Sequence, residues 1–406
     1  MPFAWFVALR YLWDSRGMTL LILSAVSIGV SVVVFLSALI SGLQTSLLDK
    51  TLGTQPHITL HTPREVPRSF ASSTSDRGVA RNVQAVAQRL RSIDQWPRVV
   101  KEVSKIREIT AVSPTIVGAG FAARADATLP IVLRGVDPER FVAVIDVRKR
   151  MTEGTFDIAG DSVAIGATLA GDLGVHVGDK LRISSSERRS DVVSVSGIFS
   201  LGNAAFDKTS VLTSLRHAQA LFALPGGATS IELKVDDVFQ AEALAKIIAG
   251  RTGLDADSWM KLNAELLSGL SAQSSSKTMI QFFVVLAVAL GIASVLIVSV
   301  VQKSREIGIL RAVGTQPQRV LMVFLIQGGV LGFIGSIFGS VLGVIFAKLF
   351  EGMAIGPDGR PRFAVELSPS LFIAATVMAT GVGLLAAAIP ARRAARLDPA
   401  TAIRGG

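Results

Sequence analysis

Four long runs of this chain hold no charged residue: 18–43, 279–301, 320–347 and 371–389. About 20 helical residues cross the hydrocarbon core of a bilayer, so all four are of spanning length. Between the first and second runs the pattern changes. Short β-branched stretches at 112–116, 131–134, 180–183, 192–198 and 230–235, bounded by Gly, Pro and Asp, predict strands. Segments 82–93, 215–223 and 239–252 predict helices, 64–81 reads as an insertion around Pro67, and 268–276 as a polar neck. The pattern describes a polytopic α-helical membrane protein with four transmembrane helices and a large extracytoplasmic α+β domain between helices 1 and 2.

Charge orients these segments. Lys303, Arg305, Arg311 and Arg319 face the single acid Glu306 in the short loop between the second and third runs. Such an excess of Lys and Arg places a loop on the cytoplasmic side. The expected order is an interfacial cytoplasmic segment (1–17), helix 1 (18–43), the outer domain (44–277), helix 2 (278–302) and a cytoplasmic loop (303–319). Helix 3 (320–350), a short outer loop (351–369), helix 4 (370–390, stopped by Pro390) and a basic cytoplasmic tail (391–406) complete it. A cleaved leader in place of helix 1 is disfavoured, because 26 uncharged residues exceed an ordinary leader core. Phe3, Trp5, Phe6, Tyr11 and Trp13 suit a segment lying along the membrane face.

The loop KSREIGILRAVGTQPQRV (303–320) has a helical pattern of its own, with Ile307, Leu310 and Gly314 on one narrow stripe. Gly314 is placed as the C-cap, and Thr315 with Gln318 has the spacing of a capping box for the next helix. In helix 3, Gly328, Gly332, Gly335, Gly339 and Gly343 form small-xxx-small series that allow close helix packing.

Composition then removes whole classes of function. The net charge is +10, yet seven of those charges flank membrane runs, where anionic lipid is the ordinary partner, so nucleic acid is not expected. There is no cysteine, and His57, His61, His176 and His217 lack metal-ligand spacing. No phosphate-binding G-x-x-x-x-G-K-[ST] and no hydrolase motif occurs, so the chain is expected to be non-catalytic and without a cofactor. Glu232, Asp236 and Asp237 read as solvated acids. Uncharged spans argue against an ion-coupled transporter.

The stretch REIGILRAVG, the Gly-rich run after it and the tail PARRAARLDP resemble the permease family that includes FtsX, MacB and the lipoprotein-releasing subunits LolC and LolE. GLQTSLLDKTLGTQPHITL, LRGVDPE (133–139), GATLAGDLGVHVGDKLRI (166–183) and GIFSLGNAAFDKTSVLTSLRHAQALF (197–222) are similar to the lipoprotein-releasing branch. That resemblance implies a bacterial inner-membrane permease, with both termini cytoplasmic, partnered by a dimer of ABC ATPase subunits that binds ATP and Mg. It implies a second permease subunit, identical or not, and a lipoprotein substrate or a periplasmic adaptor. It further implies a coupling helix of Arg305, Glu306, Ile307, Gly308, Leu310, Arg311 and Gly314 seated on the ATPase. The first and second spans would line a substrate cavity, with Ser27, Gly29 and Ser31 facing Gly291 and Ser294. The branch carries a long excursion, a carrier-docking hook in LolC, where this chain has only SSSERRSD (184–191), so the hook is expected to be missing. Alternatives within the family are a MacB-like exporter driven by a stroke of the outer domain, and a transmitter that controls a cell-wall hydrolase. The chain begins 17 residues before its first span, so the ATPase is expected on another chain.

Overall fold

The structure, a computed structural model, describes residues 2–63, 90–353 and 365–396. In chain order the elements begin with α1 (Pro2–Asp14), α2 (Arg16–Leu52), β1 (Ile58–His61), α3 (Trp96–Val103), β2 (Ile109–Arg124), β3 (Ala127–Val136) and α4 (Pro138–Val144). Next come β4 (Met151–Gly154), β5 (Ser162–Gly166), α5 (Ala167–Leu173), β6 (Lys180–Ser185), β7 (Ser190–Phe199), α6 (Ala204–Asp207), β8 (Ser210–Ser214) and α7 (Leu215–Leu221). The chain continues through β9 (Ser230–Val235), α8 (Ala241–Thr252), β10 (Asp255–Ser258), α9 (Trp259–Leu262), α10 (Ala264–Gln302), α11 (Ser304–Ala312), α12 (Pro317–Met353) and α13 (Pro369–Ala395). Two compact units result: residues 1–47 with 268–406, and residues 48–267.

The second unit is an α/β domain on a ten-stranded mixed sheet, ordered β10-β1-β9-β2-β3-β8-β5-β7-β4, with β6 paired to β2 and β7. Every segment expected to be a strand lies in one. Most pairs are antiparallel, whereas β3–β8 and β5–β7 run parallel, with helices in the connections. Strand β9 shows how the sheet sorts its side chains. Successive residues point to opposite faces, so Ile231, Leu233 and Val235 pack with Ile58, Leu60, Leu244, Ile248 and Trp259 in one core. Ser230 and Glu232 therefore point the other way, and both are buried. Glu232 is thus not a solvated acid: a central strand covered on both faces buries its polar alternates too. A second core, around Leu133, Ile165, Leu181, Val195 and Phe222, fills the β3–β7 side.

Part of the expected helix at 82–93 and the insertion 64–81 lie outside the described residues, as do 354–364 of the outer loop and 397–406 of the tail; Leu90–Ile93 is not helical. Between β6 and β7 the chain turns over residues 186–189, with Arg188 at φ 61°, and Ser184 pairs with Ser190. The eight residues SSSERRSD (184–191) thus form a tight hairpin turn and its flanking strand ends.

Among the described residues, four helices are long and apolar enough to cross a membrane: α2, α10, α12 and α13. They outrun their apolar runs. The polar neck at 268–276 is helical and belongs to α10, where Ser275, Ser276 and Thr278 hydroxyls donate back to carbonyls four residues earlier. Nor does Pro390 stop the last helix. It sits buried inside α13, which runs on to Ala395.

The glycines of α12 divide between two neighbours. A methyl at Gly332 would lie 2.5 Å from the Ala379 carbonyl oxygen of α13, and Gly328 meets Ala387 at the same separation. Further along, methyls at Gly339 and Gly343 would lie 2.7 Å from Val30 Cβ and 2.9 Å from Val34 Cβ of α2; Gly335 faces Val26. Backbone approach of this kind is what small residues permit where lipid offers no hydrophobic drive for association.

Candidate functional site

Helix α11 is a nine-residue element with two different sides. Ile307 and Gly308 are buried, and Ile307 packs with Val300, Val320, Phe324, Ala391 and Ala394. Leu310 is half-buried beside Tyr11 and Arg319. Of the stripe legible in the sequence, Ile307 and Leu310 therefore face inward, whereas Gly314 lies past the helix end and is exposed. The outward side is Arg305, Ile309, Ala312 and Val313, with Ile309 49% and Val313 83% exposed. These two apolar residues were missed in the sequence because they fall out of register with the stronger stripe. Their own spacing, i and i+4, was the available signal.

Three charged residues at α11, Lys303, Glu306 and Arg311, brace it. Lys303 Nζ lies 3.2 Å from Glu306, 3.7 Å from Asp14 and 4.8 Å from the centre of the Tyr11 ring. Burial first, and Glu306 second through its charge and hydrogen bond, pushes the Tyr11 hydroxyl up to about 12. Arg311 Nη1 donates to the Ala395 carbonyl oxygen at 3.2 Å, a cation at the C-terminal end of α13. Arg305 is exposed.

The C-terminus of α11 closes by a Schellman arrangement. Gly314 has φ +98°, its amide donates to Arg311 O at 3.0 Å, and the Thr315 amide donates to Leu310 O at 3.1 Å. Because α12 starts at Pro317, Gln316 holds its N-cap and Pro317 its first position, so the expected Thr315–Gln318 capping box does not form. Helix α11 is thus tied directly to α10 and α12, with Lys303 on one side and residues 313–316 on the other.

The residues assigned to a cavity between the first and second spans are not brought together. Ser27 and Ser31, one turn apart, share a face of α2 and are turned to α12: Ser27 Oγ donates to Gly335 O at 3.2 Å, and Ser31 O lies opposite Gly343. Gly29, on the other side of α2, meets Val284 and Val288 of α10. Gly291 has no neighbour within contact distance, and Ser294 is exposed.

In the α/β domain the polar alternates of β1 and β9 line a cleft of about 600 Å³ together with Arg134 of β3. Arg134 Nη1 donates to Glu232 Oε1 at 2.6 Å across β2, and its guanidinium stands 5.4 Å over the Phe206 ring. Burial pushes the Glu232 carboxyl above its ordinary value, against the pull of Arg134. Glu232 Oε2, Arg134 Nε and Ser230 Oγ are buried and unpaired among the described residues. At the rim, His61 Nε2 lies 2.8 Å from Asp257.

Residues 19–250 match the MacB-like periplasmic core domain family, and residues 278–399 match the FtsX-like permease C-terminal family. The first covers more than half of the chain. The chain is an ABC transporter permease of the LolC, MacB and FtsX type. The permease is 25% identical to "Lipoprotein-releasing system transmembrane protein LolC" of Xylella fastidiosa (strain Temecula1), over 99% of both chains. "Macrolide export ATP-binding/permease protein MacB" of Acinetobacter baylyi is 34% identical over 28% of the permease and 16% of its own length. The solved periplasmic region of MacB from Actinobacillus actinomycetemcomitans is 14% identical, at a TM-score of 0.34 over 54% of the permease and 95% of that chain.

Proposed function

We propose that this permease couples ATP hydrolysis by a separate ATPase dimer to the extraction of a lipid-anchored or amphipathic substrate, as a subunit of lipoprotein-releasing type. The observation that carries this reading is the likeness to LolC, 25% identical over 99% of both chains. Helix α11 would be the ATPase contact, with Ile309 and Val313 as its apolar docking residues and Lys303, Glu306 and Arg311 as the braces that hold it. A second permease subunit would complete the transporter, in a bacterial inner membrane with both termini cytoplasmic. The tight β6–β7 turn favours a variant of this function without a hook for a soluble carrier, and it gives the MacB-like alternative, a stroke of the outer domain, its specific support.

Reconstitution with the ATPase tests the proposal. ATP-dependent release of an acylated protein from the vesicle is the expected result; ATP turnover without release of any acylated cargo would sink it. Val313→Asp should abolish stimulation of the ATPase while the permease still inserts and accumulates. Because the chain has no cysteine, single cysteines at Ser184 and Gln316 report topology directly. An impermeant reagent applied to intact cells should label the first and spare the second.

A further inference from the structure

The elbow between α1 and α2 encloses a groove that the transport reading does not use. Helix α1 lays Ala4, Ala8 and Tyr11 on Val323 of α12, the chain turns at Ser15, and α2 departs from Arg16. The inside of the turn is a groove of about 430 Å³ with walls from α1, α2 and α12, among them Leu12, Leu20, Leu23 and Ile334. That is a volume in the range of ordinary ligand pockets. Two polar groups enter it. Thr19 is already committed, its hydroxyl donating to Leu12 O at 2.8 Å. Arg16 is not: its guanidinium stacks 5.6 Å over the exposed Trp13 ring, and no acid among the described residues pairs with it. The acid nearest in sequence, Asp14, is turned to Lys303.

The geometry points to a bound anionic phospholipid, with an acyl chain in the groove and the headgroup phosphate on Arg16. The guanidinium fork matches phosphate oxygens, and the first turn of α2 adds amides and a favourable dipole at the same point. Trp13 belongs at headgroup depth. A zwitterionic lipid carries its own ammonium beside the phosphate, so the uncompensated Arg16 charge selects for a net negative headgroup. Ordinary lipid contact on a convex helix surface would show no such selection; the concave elbow with one free cation does.

Retention of phosphatidylglycerol and phosphatidylcholine by the delipidated full chain, read by native mass spectrometry, tests this. One favourable basic contact near the headgroups predicts about fivefold tighter retention of phosphatidylglycerol. Arg16→Gln should bring the two lipids level, Arg16→Lys should keep the preference, and Arg10→Gln, off the groove, should leave it unchanged. Val330→Phe, which fills the groove, should weaken both lipids. Equal retention by the unaltered chain, or equal loss in the Arg10 and Arg16 variants, overturns the proposal. So does displacement by millimolar inorganic phosphate, which would make the ligand a free anion. Loss of the preference once the ATPase and second permease are bound would assign the groove to a protein contact and overturn it equally.

Discussion

Two helices of the membrane unit meet their neighbours in opposite ways. Helix α12 presses glycine backbone against α13 on one stretch and α2 on the next, with no room for a methyl. Helix α10 has three buried residues, Ile292, Leu296 and Val300, and leaves Phe282, Phe283, Leu286, Leu290 and Val301 exposed. Its ties to α2 are side chains: Val288 over Gly29, and Gln281 Nε2 donating to Ser37 Oγ at 2.8 Å. In lipid, apolar area alone holds nothing together, because acyl chains solvate it as well as protein does. The α12 seam is therefore the most closely packed part of the unit, and α10 is held more loosely, by side chains.

The largest test of this contrast is Gly332→Leu. Its side chain would meet the α13 backbone, which cannot yield as a side chain can, so a loss of about 3 kcal/mol is expected. The readout is accumulation and melting of the membrane-inserted chain; unchanged stability would erase the distinction. Gly29→Leu meets side chains, Val288 and Val284, rather than backbone, so about 1 kcal/mol is expected, with cross-linking between α2 and α10 altered more than the melting temperature. If Gly29→Leu costs as much as Gly332→Leu, α10 is packed as closely as the seam.

A smaller effect separates the membrane unit from the α/β domain. Burial holds His57 below its ordinary value of 6.5, so it folds as the neutral imidazole, with Nδ1 3.1 Å from both the amide nitrogen and the carbonyl oxygen of Val235. The unfolded chain takes up the proton more readily, so this stability is present above pH 6.5 and is lost as pH falls below it. Unfolding of the domain at pH 7.5 and 5.5 should show the drop, His57→Gln should reduce it, and the α12 seam should be indifferent to both. Smallest of all is Gly291→Leu: an added Cβ there meets nothing within 4 Å among the described residues, so stability should stay within about 0.5 kcal/mol of the original. Any loss of transport in that variant then reports a partner or cargo at α10.

The spans, the strands and the short helix after the second span were legible in the sequence because each has a period or a length that physics fixes. Residues 230–235 read as a strand at once. That Glu232 on it is buried was not legible, since alternation names two faces without saying that both are covered. The same limit explains Ser27, Gly29 and Ser31. Small residues announce close packing but not the partner, and the helix period alone sends the serines to α12 and the glycine to α10. At α11, Ile307 with Leu310 and Ile309 with Val313 are two apolar faces on one short helix; only packing shows which of them is left over.

The order of strands in the sheet has a consequence for biogenesis. Strand β1 is the first of the domain to leave the membrane, yet both of its neighbours, β9 and β10, are the last strands made. Ile58 stands opposite Leu233 on one side and Ser258 on the other. The sheet therefore cannot close until the whole domain has been translocated, just before the second span is threaded. Such late, long-range closure is slow to form, and β1 meanwhile carries two open edges that invite mispairing. Insertion of the second span and completion of the sheet thus become consecutive events, and a chain stalled before β9 would present the secretion machinery with an unfinished domain.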